Sequence, residues 1–77
     1  MKVSADGRTV LLHGGLGEGT SATLRRTLDA SPGVQLIELN SPGGRLYEGR
    51  AIAKEVRTRG LNTYVEKMCA SACTVIF

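Results

Sequence analysis

The segment Cys69-Ala70-Ser71-Ala72-Cys73-Thr74-Val75-Ile76-Phe77 carries the strongest structural signal in the chain. It follows the β-type run Asn62-Thr63-Tyr64-Val65 and sets a serine among small residues where an apolar segment begins. A second stretch belongs with it: Asn40-Ser41-Pro42-Gly43-Gly44, which follows the apolar run Val34 to Leu39. Two strands that each end in such a turn bring a hydroxyl and free backbone N–H groups to one edge of a sheet. That is the geometry of one kind of acyl-transfer site, a serine nucleophile beside an oxyanion hole.

Across the rest of the chain, strands and helices alternate. Val3 to Leu12 reads as a hairpin around Asp6-Gly7, a strong two-residue turn signal. His13 to Gly19 is a glycine-rich connection. Thr20 or Ser21 can cap a helix running to about Ala30, with Leu24 and Leu28 one turn apart on its apolar face. Ser31-Pro32-Gly33 stops it. Val34 to Leu39 is then a strand, and its aliphatic content suggests burial on both faces.

A second helix is predicted over about Tyr47 to Arg59. Gly49, Ile52, Ala53 and Val56 form its apolar stripe; Glu48, Arg50, Lys54, Glu55, Arg57 and Arg59 form its wet side. Gly49 in a helix interior suggests close approach to a neighbour. Gly60 ends the helix as a left-handed cap. Leu61 to Val65 is the next strand, and a third helix opens from Ala70. The order ββαβαβα predicts an α/β fold, a parallel sheet with right-handed strand-helix crossovers. Both singled-out turns lie at carboxyl ends of strands, where such sheets bind ligands.

With 77 residues the chain can form at most one small domain, and a domain of that size buries only about 60% of its unfolded surface. Its net charge is +3, but the basic residues are spread over presumed helix faces, with few aromatics between them. A nucleic-acid footprint would need clustering and stacking rings, so no nucleic-acid partner is expected. No run is long enough to span a membrane, and no signal-peptide pattern follows Met1-Lys2. The expected location is cytoplasmic if the chain is complete, and periplasmic or exported if a targeting segment was removed upstream.

Each candidate residue carries a plainer alternative. Ser71 is a nucleophile or an ordinary helix N-cap. Ser41-Pro42-Gly43-Gly44 offers N–H groups to a carbonyl, or is a simple strand-to-helix turn. His13, the only histidine, sits beside the glycine run and reads as incidental. Lys67 and Lys54 are candidate bases for a serine–lysine dyad, and Lys67, four residues from Ser71, would reach it only in a tight turn. Cys69 and Cys73 lie four apart, either within marginal reach of a disulfide or as two buried thiols. One remote histidine and two cysteines leave a zinc site short of ligands. Gly14 to Gly19 matches neither dinucleotide nor P-loop patterns, because Thr20 stands where glycine or lysine is required. No metal or cofactor is expected.

Taken together, the strand, the Asn-Ser-Pro-Gly-Gly turn, the helix, the β-run and the Ala-Ser turn look familiar. The order resembles the Clp protease proteolytic subunit and its relatives in the ClpP/crotonase superfamily, which include signal peptide peptidase A. The resemblance runs from about Arg8 to Phe77. The Cys-Ala-Ser-Ala-Cys form is most similar to a group of ClpP-like periplasmic proteins and departs from the Clp subunit itself. It implies that residues 1–77 are a single, incomplete ClpP-like domain, truncated in its last helix.

That resemblance implies a serine peptidase with Ser71 as nucleophile. The oxyanion hole would use the N–H of Ala72 and of Gly43 or Gly44. A peptide or protein substrate would lie along Gly44-Arg45-Leu46 by strand addition. In that family the base histidine and its aspartate follow well after the serine, and neither is among these residues. A hydroxyl without a base is a weak nucleophile, so the 77-residue chain alone is expected to be inactive or nearly so. Two alternatives stand beside this one. The first is a non-catalytic peptide-binding or self-assembly module of the same fold. The second is a crotonase-type acyl-CoA site, which needs no serine. An open sheet edge and the apolar Val75-Ile76-Phe77 end suggest a homo-oligomer.

Overall fold

A computed structural model describes residues 1–77. The elements are β1 (Lys2–Val3), β2 (Thr9–His13), α1 (Thr20–Ala30), β3 (Leu36–Ser41), α2 (Leu46–Arg59), β4 (Asn62–Cys69) and α3 (Cys73–Ile76). They form a mixed α/β architecture around one sheet of order β1-β2-β3-β4. β1 runs antiparallel to β2, while β2, β3 and β4 run parallel. The predicted order ββαβαβα is the observed one.

The helices share one face of the sheet. Val10, Leu12, Ile37 and Leu39 from the strands pack with Leu24 and Leu28 of α1, Ile52 and Val56 of α2, and Ile76 of α3 in a single core. A sheet covered on one side has strands that alternate, and β3 does so: Ile37, Leu39 and Ser41 are buried, and Leu36, Glu38 and Asn40 only partly. The expected two-sided burial of this strand is therefore corrected. Its apolar run reflects Val34 and Leu36 at the start rather than a second helical layer.

The strand limits also move. Val34 lies outside β3, because its N–H donates to the Ser31 carbonyl at 3.1 Å and completes the turn after α1. β4 continues to Cys69, past the predicted end at Val65, with an irregularity opposite Leu39 and Ser41. The first hairpin is a five-residue loop, Ser4 to Arg8, in place of the two-residue turn predicted at Asp6-Gly7. The Asp6 carboxylate organises it, accepting from the Ser4 hydroxyl and from the Arg8 N–H.

α2 ends as its sequence predicts. Gly60 adopts φ 66°, and the N–H groups of Gly60 and Leu61 return to the carbonyls of Arg57 and Val56. The start of α1 differs. Neither Thr20 nor Ser21 caps it; Gly19 is the N-cap, at φ 91°. The orphan N–H groups of Gly19 and Ser21 are taken by the Glu48 carboxylate, reaching across from α2 at 3.0 and 2.7 Å. Glu48 is thus 4% exposed and not on the wet side of its helix.

Candidate active site

The carboxyl ends of β3 and β4 each turn back into a helix, and the two turns touch. At the end of β3, buried Ser41 folds its hydroxyl over the following turn and accepts the Gly43 N–H at 3.1 Å. Pro42 has no N–H to satisfy, and Gly43 takes φ 103°, which an L side chain rarely adopts. The Gly43 carbonyl accepts the Leu16 N–H, and the Arg45 N–H donates to the Leu16 carbonyl, both at 2.9 Å. Leu16, fully buried, thereby pins the glycine turn to the loop before α1.

At the end of β4, the Ser41 carbonyl accepts the Ala70 N–H at 3.0 Å, so one residue of β3 holds both turns together. Ser71 comes next, with φ 53°. It is the sole non-glycine residue of the chain with positive φ, a conformation that costs about 1–3 kcal/mol and persists only where the surroundings impose it. The N-cap of α3 is Ala72, not Ser71. The cap reading of this serine therefore fails on position and on backbone. Ser71 is exposed, while Ala72 and Cys73 beneath it are buried.

The two turns are in intimate contact. A Cβ placed on Gly43 would lie 2.6 Å from the Ser71 Cβ, 2.7 Å from the Ala70 carbonyl oxygen and 3.0 Å from the Ala72 nitrogen. Gly49 of α2 underlies the same turn, where a Cβ would meet the Ala72 carbonyl oxygen at 2.6 Å. This is the close approach that a glycine inside a helix suggests. Cys69 and Cys73 form a disulfide across the turn, with their Cα atoms 5.2 Å apart.

The backbone donors divide unequally. The Gly43 N–H is taken by Ser41 Oγ, whereas those of Gly44 and Ala72 donate to no protein acceptor. Arg45 is extended, but its carbonyl already accepts from Glu48 and Gly49, and Leu46 opens α2 with its side chain half exposed. Of the expected Gly44-Arg45-Leu46 segment, Gly44 keeps an unengaged amide.

No base stands at Ser71 among these residues. His13 Nε2 meets Glu38 Oε2 at 3.0 Å on the exposed side of the sheet, two strands away. Lys54 and Lys67 are exposed and bond to nothing near the serine. The larger of two cavities, about 360 Å³, is lined by Leu12, His13, Gly15, Thr20 and Arg26 and includes no residue of the Ser71 turn. Sequence reasoning did not anticipate that Leu16 pins the glycine turn or that the Ser41 hydroxyl accepts the Gly43 N–H. Only Ser41 carried a local signal, as a serine two residues before the N–H it accepts.

No family model and no curated protein matches the chain. Among solved structures it is similar to ClpP1 from Listeria monocytogenes and to a point mutant of that protein. Each superimposes with a TM-score of 0.77 at 24% identity, covering 94% of this chain. The chain spans 46% of the length of those ClpP1 chains. The likeness extends over nearly every residue of the chain, which has a ClpP-like α/β fold.

Proposed function

We propose that these residues are the nucleophile-bearing part of a ClpP-like serine peptidase. Ser71 Oγ would attack the scissile carbonyl, and the N–H groups of Gly44 and Ala72 would receive the developing oxyanion. The Gly43 N–H is spoken for by Ser41 Oγ, so Gly43 serves by shape: it lets the turn come against the serine. Arg45 and Leu46 would meet the substrate with their exposed side chains. The observation that carries this reading is the left-handed backbone of exposed Ser71 packed against Gly43. Strained backbone at a solvent-facing serine is a feature of nucleophile turns and has no use in a helix cap.

A base must come from elsewhere, since His13 is engaged by Glu38. The 77-residue chain by itself is therefore expected to hydrolyse peptides very slowly. A fluorophosphonate probe tests the reading, with imidazole supplied as an external base. An adduct on Ser71 that disappears in Ser71→Ala supports it. A probe that never marks Ser71, even with a base supplied, removes it.

A second reading rests on a different observation. β4 is an edge strand, with Tyr64 and Met68 about half exposed along it. Such an edge pairs readily with another strand. A homo-oligomer or a peptide-binding module without catalysis fits these features, and light scattering against concentration tests it. No helix is long and apolar enough to cross a membrane. The Cys69–Cys73 disulfide favours an oxidising compartment, such as a periplasm, over a reducing one.

A further inference from the structure

The Cys69–Cys73 disulfide brackets Ser71, with one sulfur donor two residues before it and one two residues after. We propose that this cross-link is a positioning element for Ser71: it holds the serine in its left-handed conformation, and reduction lets the turn relax. The structural half of the proposal stands on the turn itself. Its catalytic half rests on the reading of Ser71 as a nucleophile.

Both ends of the cross-link are anchored. Cys69 is the last residue of β4 and pairs in register with Ser41. Cys73 opens α3 and is fully buried in the core. Only Ala70, Ser71 and Ala72 lie between these fixed points. The turn has few other restraints of its own. The Cys73 N–H donates to the Ala70 carbonyl at 3.1 Å, and Thr74 bonds the Ser71 carbonyl through its N–H and its hydroxyl. A non-glycine residue keeps a positive φ only where its surroundings over-determine it. Here the covalent bridge supplies the restraint on one side, and Gly43 fills the other.

Reduction by a dithiol proceeds in two displacements. A thiolate of the reductant attacks the sulfur of Cys69, the more exposed of the two. The Cys69–Cys73 bond breaks, and Cys73 leaves as a thiolate that takes up a proton. The second thiol of the reductant then displaces Cys69, which also ends as a thiol, and the reductant departs as a cyclic disulfide. Two electrons have passed to the protein.

The test uses the nitrogen-15-labelled chain, oxidised and then treated with dithiothreitol, with a Cys69→Ala/Cys73→Ala variant in parallel. Amide couplings report φ at Ser71, and the amides of Gly19 and Ser21 report whether the chain remains folded. Fluorophosphonate labelling is timed in both redox states. The expected result is a positive φ at Ser71 only when oxidised, with the Gly19 and Ser21 signals unchanged. Labelling should fall about a hundredfold on reduction, the scale of a misplacement near 1 Å, and return on reoxidation.

An unchanged Ser71 backbone, or measurable labelling at equal rates in both states, overturns the proposal. Loss of the Gly19 and Ser21 signals in both the reduced chain and the double variant makes the bridge a general staple and also overturns it. A redox-dependent Ser71 backbone with no labelling in either state keeps the positioning role and removes the peptidase reading.

Discussion

Gly43 lies so near Ser71 that a Cβ added to the glycine would sit 2.6 Å from the serine Cβ, inside any real contact distance. The nearby Ala70 carbonyl oxygen and Ala72 nitrogen are backbone and cannot swing aside as a flexible side chain would. Gly43→Ala therefore combines a disfavoured φ of 103° with overpacking. The two effects together should cost about 2–4 kcal/mol, read as a fall in the urea midpoint at unchanged slope. Labelling of Ser71 should fall further than stability explains. A neutral Gly43→Ala would mean that the two turns do not meet.

Glu48 makes the stability of the chain depend on acid. The N–H groups of Ser21 and Gly19 hold its carboxyl below the ordinary value of 4.5, against the opposing effect of burial. A depressed carboxyl contributes stability that is fully present above its unfolded pKa. That contribution is lost as pH falls through the lower folded value, where the protonated group accepts these bonds poorly. Urea unfolding between pH 7 and the acid range should show this loss. Glu48→Gln should cost about 1.5–3 kcal/mol near neutrality, because it weakens charge-assisted bonds at a buried helix start. It should also flatten the acid limb. If the variant keeps the full acid dependence, Glu48 is not its source.

These two residues mark where the sequence was legible and where it was not. Gly43 was readable, because Ser-Pro-Gly-Gly after an apolar run names a turn whose backbone only glycine tolerates. The alternation of strands and helices was readable for the same local reason, and with it the element order. Glu48 was not. Helical periodicity placed it among charged neighbours on the solvent side, and its partners lie 27 and 29 residues earlier on another element. Ser71 was legible as a position but not as a conformation. Serine is a favoured N-cap, and only the contact with Gly43 and the bridge from Cys69 to Cys73 reveal a left-handed turn. The start of β3 was misread because Val34 is apolar, while its N–H belongs to the preceding turn.

Arg59 ties the end of α1 to α2 at the far end of the sheet from Ser71. Its guanidinium meets Asp29 at 2.6 Å and Glu55 at 2.9 Å, and Arg25 joins Glu55 at 3.2 Å. Asp29 is 64% exposed, so solvent screens much of the attraction. Arg59→Met should cost only about 0.5–1 kcal/mol at low salt. The difference should shrink when the salt is raised to roughly 1 M, where the screening length falls to about 3 Å. A loss that ignores salt would instead assign the role of Arg59 to the packing of its stem beside Leu28 and Leu61.

Gly49 sets two expectations of opposite sign against each other. Replacing glycine by alanine inside a helix ordinarily stabilises it by about 1 kcal/mol. At Gly49, however, the new methyl would lie 2.6 Å from the Ala72 carbonyl oxygen and 3.3 Å from the Ala72 Cβ. The neighbour is backbone of the turn that carries Ser71, so relief requires α2 and that turn to separate. Overpacking of this kind costs about 1–3 kcal/mol, which offsets or exceeds the propensity gain. Gly49→Ala should therefore be neutral or destabilising by up to about 2 kcal/mol. The Ala72 and Ser71 amide shifts should move, while those of Gly19 and Ser21 stay in place. Urea unfolding and an amide spectrum of the variant decide the matter. A stabilised variant with an undisturbed Ser71 turn would show that α2 does not support the serine from below.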